Sequence, residues 1–109
     1  MKTPEKGFYY HYKHDLKAGI SNHAYEVLGV GLHTEGNHEE VSSKDMLVVY
    51  LPLYEAFVYK TGKLFDVRPL EMFMEKVVKD GKTIPRFTKI TDQKIIEELK
   101  NIKIEMYGD

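Results

Sequence analysis

Cysteine and tryptophan are both missing from this chain of 109 residues. Without thiols there is no disulfide framework, no thiolate metal site and no cysteine nucleophile. An excess of charge of either sign is lacking too: the net charge is -1, so nothing pulls the whole chain towards nucleic acid. No apolar run approaches the roughly 20 residues that span a bilayer. The start, Met1 to Gly7, is charged and has no apolar stretch behind it, unlike a secretory signal. These absences lead us to expect a cytoplasmic protein with no membrane partner. Internal repeats, low-complexity segments and linkers are absent as well.

What is present suits one domain over residues 1–109, with 42% hydrophobic residues for a single modest core. Charge is unevenly spread. Residues 35–55 hold Glu35, Glu39, Glu40, Asp45 and Glu55 against Lys44. Residues 60–89 are basic, with Lys60, Lys63, Arg68, Lys76, Lys79, Lys82, Arg86 and Lys89. Solvated turns explain both halves.

The aromatic run Gly7 to Lys13 reads as a strand, with Tyr9, His11 and Lys13 on one face. Ala24 to His33 alternates as a second strand, in which Gly29 and Gly31 mark a bulge, a bend or a close approach. Met46 to Leu51 is an apolar, β-branched run expected as a buried strand. Thr61-Gly62-Lys63 signals a hairpin-like excursion, and Pro69 should interrupt the ladder. Leu70 to Phe73 fits either one helical turn or a bulged strand start. Asp80-Gly81 between Glu75–Lys79 and Lys82–Phe87 predicts a hairpin with Pro85 at an edge. Thr91 is expected to cap a helix running to about Asn101, and the alternation of Ile102, Ile104 and Met106 predicts a short last strand. Many short strands and one late helix imply a mostly-β fold, a partly open barrel with a C-terminal helix.

Five ordered blocks carry a family resemblance. They are Gly7-Phe8-Tyr9-Tyr10-His11-Tyr12-Lys13, Tyr25 to Glu35, Leu47 to Tyr54, Val67-Arg68-Pro69-Leu70-Glu71-Met72-Phe73 and Pro85-Arg86-Phe87. Over residues 7–90 the chain resembles a small bacterial family, domain of unknown function 1653. The resemblance implies an SH3-like β-barrel and no named activity, with residues 91–109 as an added helix and tail. Many members carry Trp before the Arg-Pro, where this chain has Phe65-Asp66-Val67. Any stacking surface then falls to Phe65, Phe73 or the tyrosines.

Three constellations carry possible chemistry. Arg68 with Tyr50, Tyr54 and Phe73 joins a planar cationic fork to aromatic walls, which suits a carboxylate or phosphate; alternatively Arg68 pairs with Asp66 or Glu71 and braces the barrel. His11, His33 and Glu35 offer acid/base groups, and His33, Glu35, His38 and Glu39 offer metal ligands in no known pattern. Strand-end and solvent-facing histidines are the plainer explanation. Arg86 and Phe87 after Pro85 set a cation and a ring at a sheet edge, fit for a strand or a single-stranded nucleic acid. No nucleophile elbow or phosphate-cradling glycine loop occurs. We therefore expect a binding module for a small anionic ligand, a peptide or a nucleic acid, without cofactor or metal. A small His/Glu enzyme and a structural protein pairing through a barrel edge are the alternatives.

Overall fold

In the computed structural model, residues 2–33, 42–54 and 64–108 are described. Strand β1 (Gly7–His11), β2 (Ala24–Leu32) and β3 (Met46–Pro52) come first. Then follow β4 (Asp66–Pro69), helix α1 (Leu70–Phe73), β5 (Lys76–Lys79), β6 (Lys82–Pro85), β7 (Phe87–Lys89) and helix α2 (Gln93–Tyr107). Five strands form an antiparallel sheet in the order β4-β3-β2-β1-β7, and β5 pairs with β6 alone. The fold is mostly β with a C-terminal helix, as expected, and the sheet is open.

Local chemistry accounts for the breaks. The register between β2 and β3 slips between Val27 and Gly29, so the glycine pair does mark a bulge. A Cβ on Gly31 would meet only Val49 at 3.9 Å, so crowding is not its reason. Pro69 ends β4 opposite Leu47 and stands at the cap of the one-turn helix α1. Asp80 and Gly81 take φ of 52° and 75°, the left-handed pair that a tight two-residue hairpin needs.

The last segment departs from expectation twice. Asp92, not Thr91, caps α2, accepting from the N–H groups of Lys94 and Ile95. The helix then continues to Tyr107, through the residues expected as a strand. Leu99, Ile102 and Met106 keep a three-to-four spacing as well as an alternating one, and the helix wins because that stripe meets the sheet. Leu99 is fully buried, and the Tyr107 hydroxyl donates to the Pro52 carbonyl at 2.7 Å. Lys103 Nζ meets Glu26 Oε1 at 2.6 Å, tying the helix to β2.

The two sheet faces thus carry separate cores. Helix α2 covers Phe8, Ala24, Leu53 and Ile90. The other face gathers Tyr9, Val27, Val48, Tyr50 and Phe87 against Leu70 and Phe73 of α1. Strand registers dictate that second set. Tyr9 faces Tyr25, Val27 faces Tyr50, Val48 faces Arg68, and His11 faces Phe87. Paired residues share a face, so Arg68 at one edge and Phe87 at the other point to the same side.

No helix among the described residues is long and apolar enough to cross a membrane. The excursion expected around Thr61-Gly62-Lys63 lies outside the described residues.

Candidate functional site

On a flat sheet, β4 and β7 would stand about 19 Å apart, four strand spacings of ~4.8 Å. Yet the Arg68 guanidinium carbon lies 5.5 Å from the centre of the Phe87 ring. The sheet therefore curls over its aromatic face until its two edges touch through side chains. Phe73 completes the closure, stacked on Phe87 at 4.2 Å with an interplanar angle of 6°.

Arg68 is half-buried, and its Nε donates to the Tyr50 hydroxyl at 3.2 Å. Neither brace expected for it forms. Among the described residues no carboxylate lies within ion-pair distance of Arg68, and Glu71 instead accepts from the Ser43 hydroxyl at 2.7 Å. Asp66 shares the face, opposite Tyr50. Burial raises its carboxyl above the ordinary value, and the Arg68 charge opposes that shift. Among the described residues, Arg68 is thus a cation held by a hydroxyl and a ring rather than neutralised.

Around it the aromatic groups form a continuous wall. Tyr25 meets Tyr50, Tyr54 and Phe87 edge-to-face at 5.2–5.6 Å, a favoured geometry for ring pairs. The Tyr25 and Tyr54 hydroxyls bond to each other. Burial, then that bond, pushes the Tyr25 phenol well up. Burial also raises Tyr50, and the Arg68 hydrogen bond partly offsets it. These tyrosines stay protonated and act as hydroxyl donors or acceptors.

His11 is buried, not solvent-facing. Its ring packs edge-on to Phe87 at 5.0 Å and lies 5.7 Å from His23. The Lys13 N–H donates to His11 Nδ1 at 3.2 Å, which places the ring proton on Nε2 of a neutral imidazole. Burial, then the charges of His23, Arg68, Arg86 and Lys13, lower its pKa to about 4.

Sequence reasoning missed His23. It follows Asn22 in a turn without periodicity, so no pattern singles it out. The structure gives it a left-handed φ of 50°, uncommon outside glycine. Its carbonyl accepts from the His11 N–H at 3.0 Å, and its ring lies 5.3 Å from Tyr54. Burial and the charges of Lys13 and His14 lower its pKa.

The remaining expected site residues fall elsewhere. Arg86 sits between β6 and β7 and pairs with Glu75 at 3.4 Å, so its charge is matched where, among the described residues, that of Arg68 is not. Its Nε is buried without a hydrogen-bond partner among the described residues. His33 is exposed just past the far end of β2, its N–H bonded to the Asp45 carbonyl at 2.8 Å. His23, bonded to His11, precedes the near end, and ten residues at ~3.3 Å put the two ends roughly 30 Å apart. The structure does not bring His11 and His33 together. Glu35, His38 and Glu39 lie outside the described residues. Phe65 is 61% exposed, so the stacking surface is Phe73, Phe87 and the tyrosines.

The cluster can do two things chemically. The Arg68 fork, the Tyr50 hydroxyl and the one proton left over by the Tyr25–Tyr54 pair can hydrogen-bond an oxyanion, and the rings can exclude water around it. With His11 neutral, it supplies an N–H rather than a second charge.

Searches of curated proteins and of solved structures give no match. A family model described as "Protein of unknown function (DUF1653)" matches residues 7–89. Those residues hold β1 to β7 and every member of the aromatic cluster, while α2 lies beyond them. By that match the chain belongs to the family DUF1653.

Proposed function

We propose that this chain is a binding module that holds a small anionic ligand at Arg68. One observation carries the reading: a half-buried guanidinium, fixed by Tyr50 and Phe87, has no carboxylate partner among the described residues. A buried or half-buried charge is costly to leave unmatched, and an oxyanion relieves that cost with two parallel hydrogen bonds. The Tyr54 hydroxyl and the His23 ring, both only partly buried, extend the same wall. Arg86, already matched by Glu75, adds little to the recognition of an anion.

Thermal unfolding followed with sulfate, phosphate, nucleotides, short oligonucleotides and acidic peptides tests the reading. A ligand at 100 times its Kd stabilises the fold by about 2.7 kcal/mol. Arg68→Ala should abolish the response, and Arg68→Lys should lose most of it because the ammonium lacks the planar fork. Undiminished binding by Arg68→Ala sinks the proposal. If oligonucleotides bind best, with affinity falling steeply as salt rises, the ligand is a nucleic acid rather than a small anion.

A further inference from the structure

Beside the Arg68 cluster runs a groove of about 260 Å³. It is lined by residues 2–5, by Met74, Pro85 and Lys89, and by the rings of Tyr9, Phe73 and Phe87. It shares Phe73 and Phe87 with the cluster, but Arg68 does not line it. From this geometry we infer a second binding site, for a small aromatic acid of about one ring carrying a single carboxylate.

Size, apolar lining and charge each narrow the ligand. An apolar cavity of about 150 Å³ suffices for benzene. The larger space here accommodates a ring with one substituent. The Tyr9 phenol already donates to the Glu5 carbonyl at 2.8 Å, so the three ring residues of the lining contribute mainly apolar surface. Phe73 and Phe87 are stacked and Tyr9 stands edge-on to Phe73 at 74°, an array of rings against which a further aromatic ring packs favourably. Pro4, Pro85 and the thioether of Met74 add apolar walls, and a sulfur beside a ring is favourable in its own right.

The charged lining residues set the charge. Lys2 and Lys89 are the two cations of the lining and Glu5 is its single acid. Lys89 Nζ meets Glu5 Oε1 at 3.3 Å, which leaves the lining with one net positive charge. One carboxylate neutralises it. A neutral ring fills the same space but leaves that charge unmatched, and a dianion overshoots it.

Chemical-shift titration of the ¹⁵N-labelled chain tests the site, with benzoate as probe and benzyl alcohol and acetate as comparators. Benzoate should move the amides of Tyr9, Met74 and Lys89 and saturate. Benzyl alcohol should bind at least fivefold more weakly, and acetate should cause no shifts there. Met74→Trp, at a position 38% exposed, fills the groove and should abolish benzoate binding without unfolding the protein. Lys89→Gln should weaken benzoate about fivefold and leave benzyl alcohol unchanged. The benzoate shifts at Tyr9, Met74 and Lys89 should persist in Arg68→Lys, which keeps a cation beside Phe87 but loses the planar fork, and this separates the site from the anion site. The inference is overturned if benzoate shifts map elsewhere or never saturate, if Met74→Trp binds as well as the parent, or if benzyl alcohol matches benzoate.

Discussion

His11 should make this fold acid-sensitive in a way a single substitution removes. Its imidazole is buried between Phe87 and His23 and its pKa is lowered to about 4, against 6.5 for the free side chain. The unfolded chain therefore takes up a proton before the folded one does. A base with a depressed folded pKa leaves stability intact above 6.5 and removes it as pH falls from 6.5 towards 4. At 1.36 kcal/mol per pH unit, lowering the pH from 7.5 to 4.5 removes at most about 2.5 kcal/mol through this one group. That corresponds to roughly 10 °C in Tm for a domain near 100 residues. Carboxylates titrate over the same range, so the measurement is a difference of differences. Urea unfolding of the parent and of His11→Asn is compared at pH 7.5 and 4.5. The Asn Oδ1 stands where Nδ1 accepts from the Lys13 N–H, and the side chain carries no titrating proton. The parent should lose about 2 kcal/mol more than the variant. Equal losses, or an NMR titration placing the His11 ring near 6.5, refute the reasoning.

Two further outcomes concern the frame around the site. Leu99→Ala empties a fully buried position between α2 and the sheet and should cost about 2–5 kcal/mol by denaturant unfolding. Gly81→Ala forces a Cβ onto a φ of 75° in the β5–β6 turn and should cost about 1 kcal/mol, with Tm as the readout.

Much of this architecture was legible where period and punctuation agree. The Asp80-Gly81 turn, the glycine bulge in β2 and the break at Pro69 each follow from what one or two residues permit in φ or in hydrogen bonding. The last helix was misread because Ile102, Ile104 and Met106 satisfy period two while Leu99, Ile102 and Met106 satisfy the helical spacing. Only the presence of a sheet face to cover decides between them. Arg68, Tyr50, Tyr54 and Phe73 were singled out together, and the structure sets them in one ring cluster. The partners that give that cluster its character, Phe87 on the far edge strand and His23 in a turn, come from curvature and tertiary contact. Neither is written in local pattern. His11 lies on β1 and His33 just past the far end of its partner β2, so the length of β2 keeps them apart.

The contact between Arg68 and Phe87 also joins the first and last strands of the sheet, which share no backbone hydrogen bond. A guanidinium over a ring is worth about 0.5–2 kcal/mol, less than a row of ladder bonds. The seam of this curled sheet is thus closed by side chains, Arg68 and Phe73 meeting on Phe87, and not by a ladder. If the proposed anion is held by Arg68, it pulls on that seam, and occupancy of the site would be coupled to the breathing of the two edge strands.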